Sequence, residues 1–385
     1  MKLFFWFYFV LYSGNALFGT FVPVYFQQQG FSASEIGLLL SFGPFVAVLA
    51  QPAWGTYTDK ASSKNRVLIL MLIGSGISML LFPMATSFGW LMLVISLFTL
   101  FQSSIPAVSD AITLEALGNK ASYYGHIRIG GTLGFALMSV SFGIYAEHFA
   151  IEGMFVAYAI VMAVSVLVLL LYPNIKGHQF GGRKMNLLEL LRNRRLMLYM
   201  SICFAINITL GYYYSFFPLY FKDIGAGNDL LGWSMVISAL CELPFLLYSA
   251  RILKRFSVST ILLFAGGAAT LRWLLFSTLD SAWLVLPAQA LHGLTFIVVT
   301  VTMSVYINKE VPAELRASGQ TLNVLINMGA ARIIGSYAGG YASEVVGLQN
   351  VFLYAAFLLL AALAAFAIIS RRMERKGLAG RGIAG

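Results

Sequence analysis

The sequence predicts an all-α membrane protein in which twelve transmembrane helices form two pseudo-symmetric six-helix bundles. Of the 385 residues, 59% are hydrophobic and only 10% are charged, and the mean hydropathy is +0.82. Soluble domains contain about 25% charged residues. Apolar runs of about 20 residues, each long enough to cross a hydrocarbon core of about 30 Å as a helix, recur along the chain. These observations indicate a polytopic membrane protein.

The predicted spans fall into two sets of six. The first set comprises residues 3–27, 33–58, 67–86, 90–116, 123–146 and 151–173. The second set comprises residues 196–221, 229–250, 258–277, 281–306, 317–343 and 348–370. The first span has no small-residue cleavage site before the second begins, so we expect it to be retained rather than removed as a signal peptide.

The longest polar segment lies between the two sets. We therefore expect an N-terminal bundle at 1–173, a cytoplasmic linker at 174–195, a C-terminal bundle at 196–370 and a cytoplasmic tail at 371–385.

The basic residues indicate the orientation. With a cytoplasmic N-terminus, all but four of the 25 Lys and Arg residues lie at cytoplasmic helix ends and loops. The exceptions are Lys222, on the outside, and Arg128, Arg272 and Arg332, inside spans. The positive-inside rule then places both termini in the cytoplasm, and we expect the inner (plasma) membrane. The net charge of +10 is explained without a nucleic-acid partner.

The two halves resemble each other in sequence. FVPVYFQQQGF at 21–31 aligns with FFPLYFKDIGA at 216–226. The matched residues, each pair 195 positions apart, are Pro23 and Pro218, Tyr25 and Tyr220, Gly30 and Gly225, Gly37 and Gly232, and Lys60 and Arg255. A weaker match joins Arg128-Ile-Gly-Gly131 to Arg332-Ile-Ile-Gly335. Parallel repeats of six helices are typical of transporters whose two bundles rock about a central solute site.

Glycines cluster in the fifth and eleventh spans, at Gly130, Gly131, Gly134, Gly335, Gly339 and Gly340. Small residues let membrane helices pack closely. Membrane helices are commonly rich in glycine. The number of glycines alone therefore also fits a protein whose helices do not pack closely at these positions.

The loop after the second span, GTYTDKASSKNRV, resembles the major facilitator signature. Gly55, Asp59, Lys60 and Arg66 match that pattern, whereas Ser62 replaces its second glycine. The resemblance implies that these residues form a conformational latch on the cytoplasmic side when the outward-facing state forms.

A closer resemblance is carried by three further stretches. They are Tyr124-Gly125-x-x-Arg128-x-x-Gly131-Thr132-x-Gly134-Phe135, Leu291-His292-Gly293-Leu294-Thr295-Phe296, and Glu242 followed by Arg272. They look like the branch of the major facilitator superfamily that contains lactose permease, nucleoside–proton symporters and phenylpropionate-type permeases. The resemblance implies proton-coupled uptake of a sugar, nucleoside or small aromatic acid by alternating access.

Ionisable residues inside membrane spans usually face a bundle interior and a partner. At 1.5 Å per residue, Glu242, His292 and Arg272 lie about 20, 17 and 12 Å from the outer ends of their helices. The corresponding residues of lactose permease bind sugar and couple it to proton movement. Asp110 and Arg128 lie about 12 and 9 Å from the loop between their helices, so they could pair.

We interpret Glu242, His292 and Asp110 as candidate proton-coupling residues. The candidate substrate-binding residues are Arg128, Arg272, Asn15, Asn207, Gln289 and Asn323. Structural alternatives remain open, because a lone histidine is often packed in a core, Arg128 could reach the surface by snorkelling, and amides also join helices. Thr295 stands where the lactose permease pattern has its proton-carrying glutamate, which puts coupling by that route in question.

The sequence contains no phosphate-binding loop and no HExxH zinc motif, so we expect no catalytic residues, no metal and no cofactor beyond a coupling proton. The expected partners are a small-molecule solute and the lipid bilayer, and we expect a monomer. Proton-coupled efflux and uncoupled facilitation remain alternatives. A receptor would need a signalling domain, for which the tail is too short.

Overall fold

The structure is a computed structural model that describes residues 1–84, 87–118, 123–176, 187–312 and 315–381. In these ranges the regular secondary structure is helical. The first half contains α1 (Lys2–Gln28), α2 (Ala33–Lys60), α3 (Lys64–Leu80), α4 (Phe88–Leu117), α5 (Tyr124–His148) and α6 (Gly153–Leu169). The second half contains α7 (Arg194–Asp223), α8 (Asn228–Arg255), α9 (Val258–Thr278), α10 (Ala282–Glu310), α11 (Arg316–Val346) and α12 (Leu348–Arg381).

Ten of these helices are long and apolar enough to cross a membrane. The apolar helix α6 has only 17 residues, and α11 is the other helix outside that set. The all-α membrane fold is therefore confirmed for the described residues. The bounds of the two bundles and of the linker stay predictions, since residues 177–186 of the linker lie outside the described residues. Leu187–Arg192, inside the predicted linker, forms a short helix.

Polar residues at the helix starts explain where several helices begin. Ser32 and Glu35 form a capping box at α2, and Ser63, Asn193 and Ser257 accept hydrogen bonds from the first turns of α3, α7 and α9. Such caps satisfy backbone N–H groups that have no partner within the helix.

The turns after α1 and α7 each contain a glycine with positive φ, Gly30 at 85° and Gly225 at 89°. This conformation is unfavourable for residues with a Cβ atom. The two glycines are matched in the sequence repeat, so the same turn begins the second helix of each half.

Three helices are interrupted. In α4, a turn at Ser103 and Ser104 separates Phe88–Gln102 from Ile105–Leu117. In α10, the tighter 3₁₀ stretch Gln289–Leu294 lies between Ala282–Ala288 and Phe296–Glu310. In α11, Leu325–Ala330 forms a π-helix between Arg316–Val324 and Ala331–Val346.

Helix packing repeats between the halves. α1 contacts α5 and α6, and α7 contacts α11 and α12. α3 packs on α6 as α9 packs on α12, and α2 packs on α4 as α8 packs on α10. The contacts between halves, α5 with α8 and α11 with α2, are also related by the repeat. This packing is that of two pseudo-symmetric six-helix bundles.

The halves meet at the end of the molecule opposite the chain termini. A Cβ atom at Gly37 of α2 would overlap the backbone of Ser336 in α11, and one at Gly232 of α8 would overlap the backbone of Ser139 in α5. Gly37 and Gly232 are matched in the sequence repeat. Each allows its helix to touch the other half backbone to backbone.

Hydrogen bonds join the halves at this end, which we call the closed end. Two carboxylates accept hydrogen bonds from the first turns of helices in the opposite half: Glu147 from Asn228 N–H, at 2.5 Å, and Glu344 from Ser34 N–H, at 3.0 Å. A carboxylate is favoured at the positive end of a helix dipole. Gln27 also donates to Asp223, at 3.5 Å.

At the other end, which we call the open end, no hydrogen bond joins these helices across the halves among the described residues. A Cβ atom at Gly55 of α2 or Gly125 of α5 would have no atom within 4 Å, whereas Gly37 and Gly143 on those helices pack against the second half. At these two glycines, toward the end that carries both chain termini, α2 and α5 therefore have no contact with the second half.

We predict that Gly232→Val separates α5 from α8 at the closed end, because a valine side chain cannot fit against the Ser139 carbonyl. Spin labels at the exposed residues His148 and Trp233, in a chain whose two cysteines are replaced by serine, should then show a population at longer distance. Gly267→Val is the matched control, since a Cβ atom there meets nothing within 4 Å. Identical distance distributions in both variants would contradict the contact.

Candidate functional site

The structure brings together three ionisable side chains from α8, α9 and α10. The guanidinium of Arg272 (Nη1) lies 2.8 Å from His292 Nδ1, and His292 Nε2 lies 3.4 Å from Glu242 Oε1. His292 thus connects a cation on one side to a carboxylate on the other. The depths calculated from the sequence predicted this grouping, and the structure shows it; the transport roles of the three residues stay predictions.

Arg272 is fully buried, and the groups around it are neutral. Its guanidinium donates to Gln289 Oε1, which also accepts from the Tyr213 hydroxyl at 3.2 Å. The guanidinium carbon lies 4.0 Å from the centre of the Tyr213 ring, a cation–π distance. Arg272 Nε has no hydrogen-bond partner among the described residues.

The 3₁₀ stretch of α10 explains how Gln289 and His292 both reach Arg272. Side chains three positions apart point the same way in a 3₁₀ helix, whereas an α-helix would separate them by about 60°. Gly293, in the same stretch, packs directly on the backbone of Cys241, where a Cβ atom would overlap the carbonyl group. This close approach brings Glu242 within reach of His292.

The hydrogen bonds fix the tautomer of neutral His292. Because arginine can only donate, His292 Nδ1 must accept from Arg272 and cannot carry a proton. The proton of the neutral ring is then on Nε2, which faces Glu242 and lies 3.3 Å from the Tyr214 hydroxyl. A second proton on the ring would place Nδ1–H against the guanidinium and break that hydrogen bond.

The other two arginines within the spans occupy equivalent places in the two halves. Arg128 of α5 lies 4.2 Å from the centre of the Tyr12 ring of α1, and Arg332 of α11 lies 4.7 Å from that of Tyr214 of α7. All four side chains are partly exposed. The weak sequence match between Arg128 and Arg332 therefore corresponds to a repeated arginine–tyrosine contact.

Glycines allow these helices to approach. A Cβ atom at Gly134 of α5 would overlap the backbone of Phe9 in α1, and one at Gly335 of α11 would overlap that of Ile208 in α7. The expected close packing at the glycine clusters is confirmed at these positions.

Asp110 does not form an ion pair with Arg128 within 4.0 Å. It accepts a hydrogen bond from the Tyr8 hydroxyl at 2.5 Å. Glu115, the other acid near Arg128 in sequence depth, pairs with the buried Lys64 and ties α4 to α3. Asp110 still lies close enough to act electrostatically on Arg128, but depth along a helix does not specify which way a side chain points, and the direct contact of the carboxylate is with Tyr8.

The candidate amides are dispersed. Asn15 accepts a hydrogen bond from Gln102 at 3.2 Å, which joins α1 to α4. Asn207 donates to Cys203 in its own helix, and its Oδ1 atom is unpartnered among the described residues. Asn323 accepts from Asn327 at 2.7 Å. Of the amides that we selected, only Gln289 contacts Arg272.

The candidate latch residues Asp59, Lys60 and Arg66 are exposed at the open end, near Gly55. The ion pairs found in the described chain, Lys64–Glu115 and Glu242–His292, do not include them. Their role as a latch stays a prediction.

Sequence reasoning missed Tyr8 and Tyr12, which contact Asp110 and Arg128. The two tyrosines are four positions apart on α1, and their rings stack at 6.0 Å. Residues at this spacing share one helix face, and this signal could have identified them. Tyr124, within the arginine signature, packs edge-on against Tyr8 at 6.2 Å.

Comparisons with known proteins agree with this geometry. Residues 2–354 match the model of the MFS_1 like family. The chain is 23% identical over 373 residues to the maltose permease of Geobacillus stearothermophilus, covering 96% of this chain and 95% of the permease. It is 23% identical over 342 residues to a probable 3-phenylpropionic acid transporter of Escherichia coli (strain K12), covering 86% and 88%.

Among solved structures, the crystal structure of the nucleoside transporter NupG superposes with a TM-score of 0.83. The superposition covers 96% of this chain and 99% of that chain at 21% sequence identity. At this identity the likeness shows the fold, and it agrees with the two packed halves described above.

We predict that neutral His292 carries its proton on Nε2. Nitrogen NMR of histidine-labelled protein in nanodiscs at pH 8 should show a protonated Nε2 and an unprotonated Nδ1 for this residue. His292→Asn assigns the signal among those of His126, His148 and His178. A protonated Nδ1 would contradict the contact with Arg272.

Proposed function

Because the chain belongs to the MFS_1 like family, we propose that this multi-pass membrane transporter takes up a small organic solute together with protons, by alternating access. The observation that supports coupling most directly is the contact series from Glu242 through His292 to Arg272. Histidine exchanges protons near neutral pH, and its two ring nitrogens here face a carboxylate and a guanidinium. Protonation of His292 would release Arg272 to bind the solute.

The closed and open ends indicate which state of the alternating-access cycle the structure represents. Basic residues predominate at the open end, including Lys60, Arg66, Arg251 and Arg255, whereas Lys222 lies at the closed end. By the positive-inside rule we assign the open end to the cytoplasm, so the structure corresponds to an inward-facing state. In that state a latch formed by Asp59, Lys60 and Arg66 would be released, in agreement with their exposure.

The charges around the interior favour a solute with an acidic group. Apart from the Lys64–Glu115 pair, the charged side chains inside the described spans are Arg128, Arg272, Arg332, Asp110 and Glu242, which leaves a surplus of one positive charge while His292 is neutral. Among the described residues, none of the three arginines has a carboxylate within 4.0 Å, and each lies over a tyrosine ring. A charge inside a membrane is stabilised by a counter-charge. The solute can supply it.

Aromatic side chains surround these cations and suit a solute with a ring. Tyr214 and Phe296 pack edge to face at 6.1 Å, and Arg332 lies over both rings. We therefore favour a small aromatic acid among the solute classes. The probable 3-phenylpropionic acid transporter, one of the relatives, is named for such a solute. Maltose permease and NupG are named for uncharged ones.

Coupling can be tested in proteoliposomes that contain a pH-sensitive dye. We predict that a transported solute acidifies the lumen, and that His292→Ala and Glu242→Gln each reduce solute accumulation at least tenfold by interrupting the contact series. His126→Ala and Glu310→Gln are matched controls, because both residues are exposed at the open end.

Solute uptake without a pH change would indicate an uncoupled facilitator, and proton movement opposite to the solute would indicate efflux by antiport. Full solute accumulation by both His292→Ala and Glu242→Gln would indicate that the contacts of these residues have a structural role only.

The preference for an acid can be tested with 3-phenylpropionate and its uncharged amide. We predict that the acid raises the melting temperature of the purified protein more than the amide does. Arg332→Gln should weaken binding of the acid at least tenfold, and Arg194→Gln, an exposed arginine at the open end, should leave it unchanged. Equal stabilisation by acid and amide would contradict an anionic solute.

A further inference from the structure

An apolar groove lies between α8, α9 and α10 in the half of the membrane nearer the open end. Its volume is about 430 Å³, and its lining includes Tyr248 and Ile252 of α8, Phe256 directly after α8, Phe264 of α9, and Leu294 of α10. Tyr248 and Ile252 are four positions apart on one face of α8, and Phe256, the first residue after the helix, follows four positions later; we call this row the aromatic stripe. The groove is separate from the cluster around Arg272.

The groove opens on the outside of the bundle. Phe264, Tyr248 and Phe256 are 59%, 52% and 48% exposed. From Pro244 at one end of the groove to Arg255, the last residue of α8, the helix rises by about 16 Å. The groove therefore extends from the hydrocarbon region to the level of the lipid headgroups.

Two arginines lie at the headgroup end of the groove. The guanidinium carbons of Arg251 and Arg255 are each 5.6 Å from the ring centres of Tyr248 and Phe256, respectively. Both side chains are exposed, they lie one turn apart on α8, and Lys254 lies between them in sequence. Neither arginine forms an ion pair within the described part of the chain.

We propose that this groove binds an anionic phospholipid, with one acyl chain along the aromatic stripe and the phosphate between Arg251 and Arg255. The argument rests on complementarity of charge and polarity along one helix face. Apolar side chains occupy the depth of an acyl chain, and two unpaired guanidinium groups occupy the depth of the phosphate. Arginine binds phosphate through paired N–H donors. The proposal does not depend on the identity of the solute.

Such a lipid would contact the segments of α8 and α10 that carry Glu242 and His292. Pro244 in the groove follows Glu242 by two positions, and Leu294 follows His292 by two positions. The contact between Gly293 and the Cys241 backbone lies between them. An acyl chain in the groove would therefore pack against the same segments of α8 and α10 that hold Glu242 beside His292.

Binding can be measured by native mass spectrometry of the full chain in detergent, after removal of co-purified lipid. Dioleoyl phosphatidylglycerol is compared with dioleoyl phosphatidylcholine, which has the same chains, and with glycerophosphoglycerol, which has the headgroup alone. We expect phosphatidylglycerol to bind at least tenfold more tightly than either. The double variant Arg251→Gln, Arg255→Gln should remove this preference.

Arg371→Gln, Arg372→Gln is the matched control, because these adjacent exposed arginines are on α12, away from the groove. Thr260→Trp fills the groove from an exposed position on its lining and should weaken phosphatidylglycerol binding while the arginines remain. An equal loss of phosphatidylglycerol binding in the α12 control would show that general surface charge, and not the groove, causes the preference. Equal affinity for the two lipids, or full binding by Thr260→Trp, would also overturn the proposal.

Discussion

The arrangement of the protein depends on backbone contacts between its halves at the closed end. In a membrane there is little hydrophobic drive to bring helices together, so association relies on van der Waals contact and hydrogen bonds. Gly37 and Gly232 supply that contact by removing the side chain where α2 meets α11 and α8 meets α5. Glu147 and Glu344 then accept hydrogen bonds from the opposite half. These contacts hold the two halves together at the end opposite the chain termini.

The two halves have similar helix packing but different polar side chains in their interiors. Both halves place an arginine over a tyrosine, Arg128 over Tyr12 and Arg332 over Tyr214, where glycines let the helices meet. Within the described ranges, it is the second half that adds a histidine between a carboxylate and a guanidinium. The first half instead places Asp110 against the Tyr8 hydroxyl. The duplicated frame therefore carries a carboxylate–histidine–guanidinium series in one half and a carboxylate–tyrosine contact in the other.

The sequence predicted what depends on distance along a helix and failed where rotation about the helix matters. Apolar run lengths identified the spans, and depth placed Glu242, Arg272 and His292 together, because both follow from a constant rise per residue. Depth also suggested that Asp110 and Arg128 pair directly, but Asp110 accepts a hydrogen bond from Tyr8 and Arg128 lies over the Tyr12 ring.

Hydropathy could not reveal the 3₁₀ stretch of α10 or the π-helix of α11, because both are changes in backbone hydrogen bonding rather than in polarity. Asn207 and Asn323 were selected for their polarity, yet they form hydrogen bonds within their own helices.

The sequence analysis also missed the shortness of α6. At about 1.5 Å per residue its 17 residues span roughly 25 Å, which is less than the hydrocarbon core of about 30 Å. A hydrophobic helix shorter than the bilayer is accommodated by local thinning of the bilayer or by snorkelling of its flanking residues, so mismatch along the edge that α6 forms would favour thinner membranes for this protein.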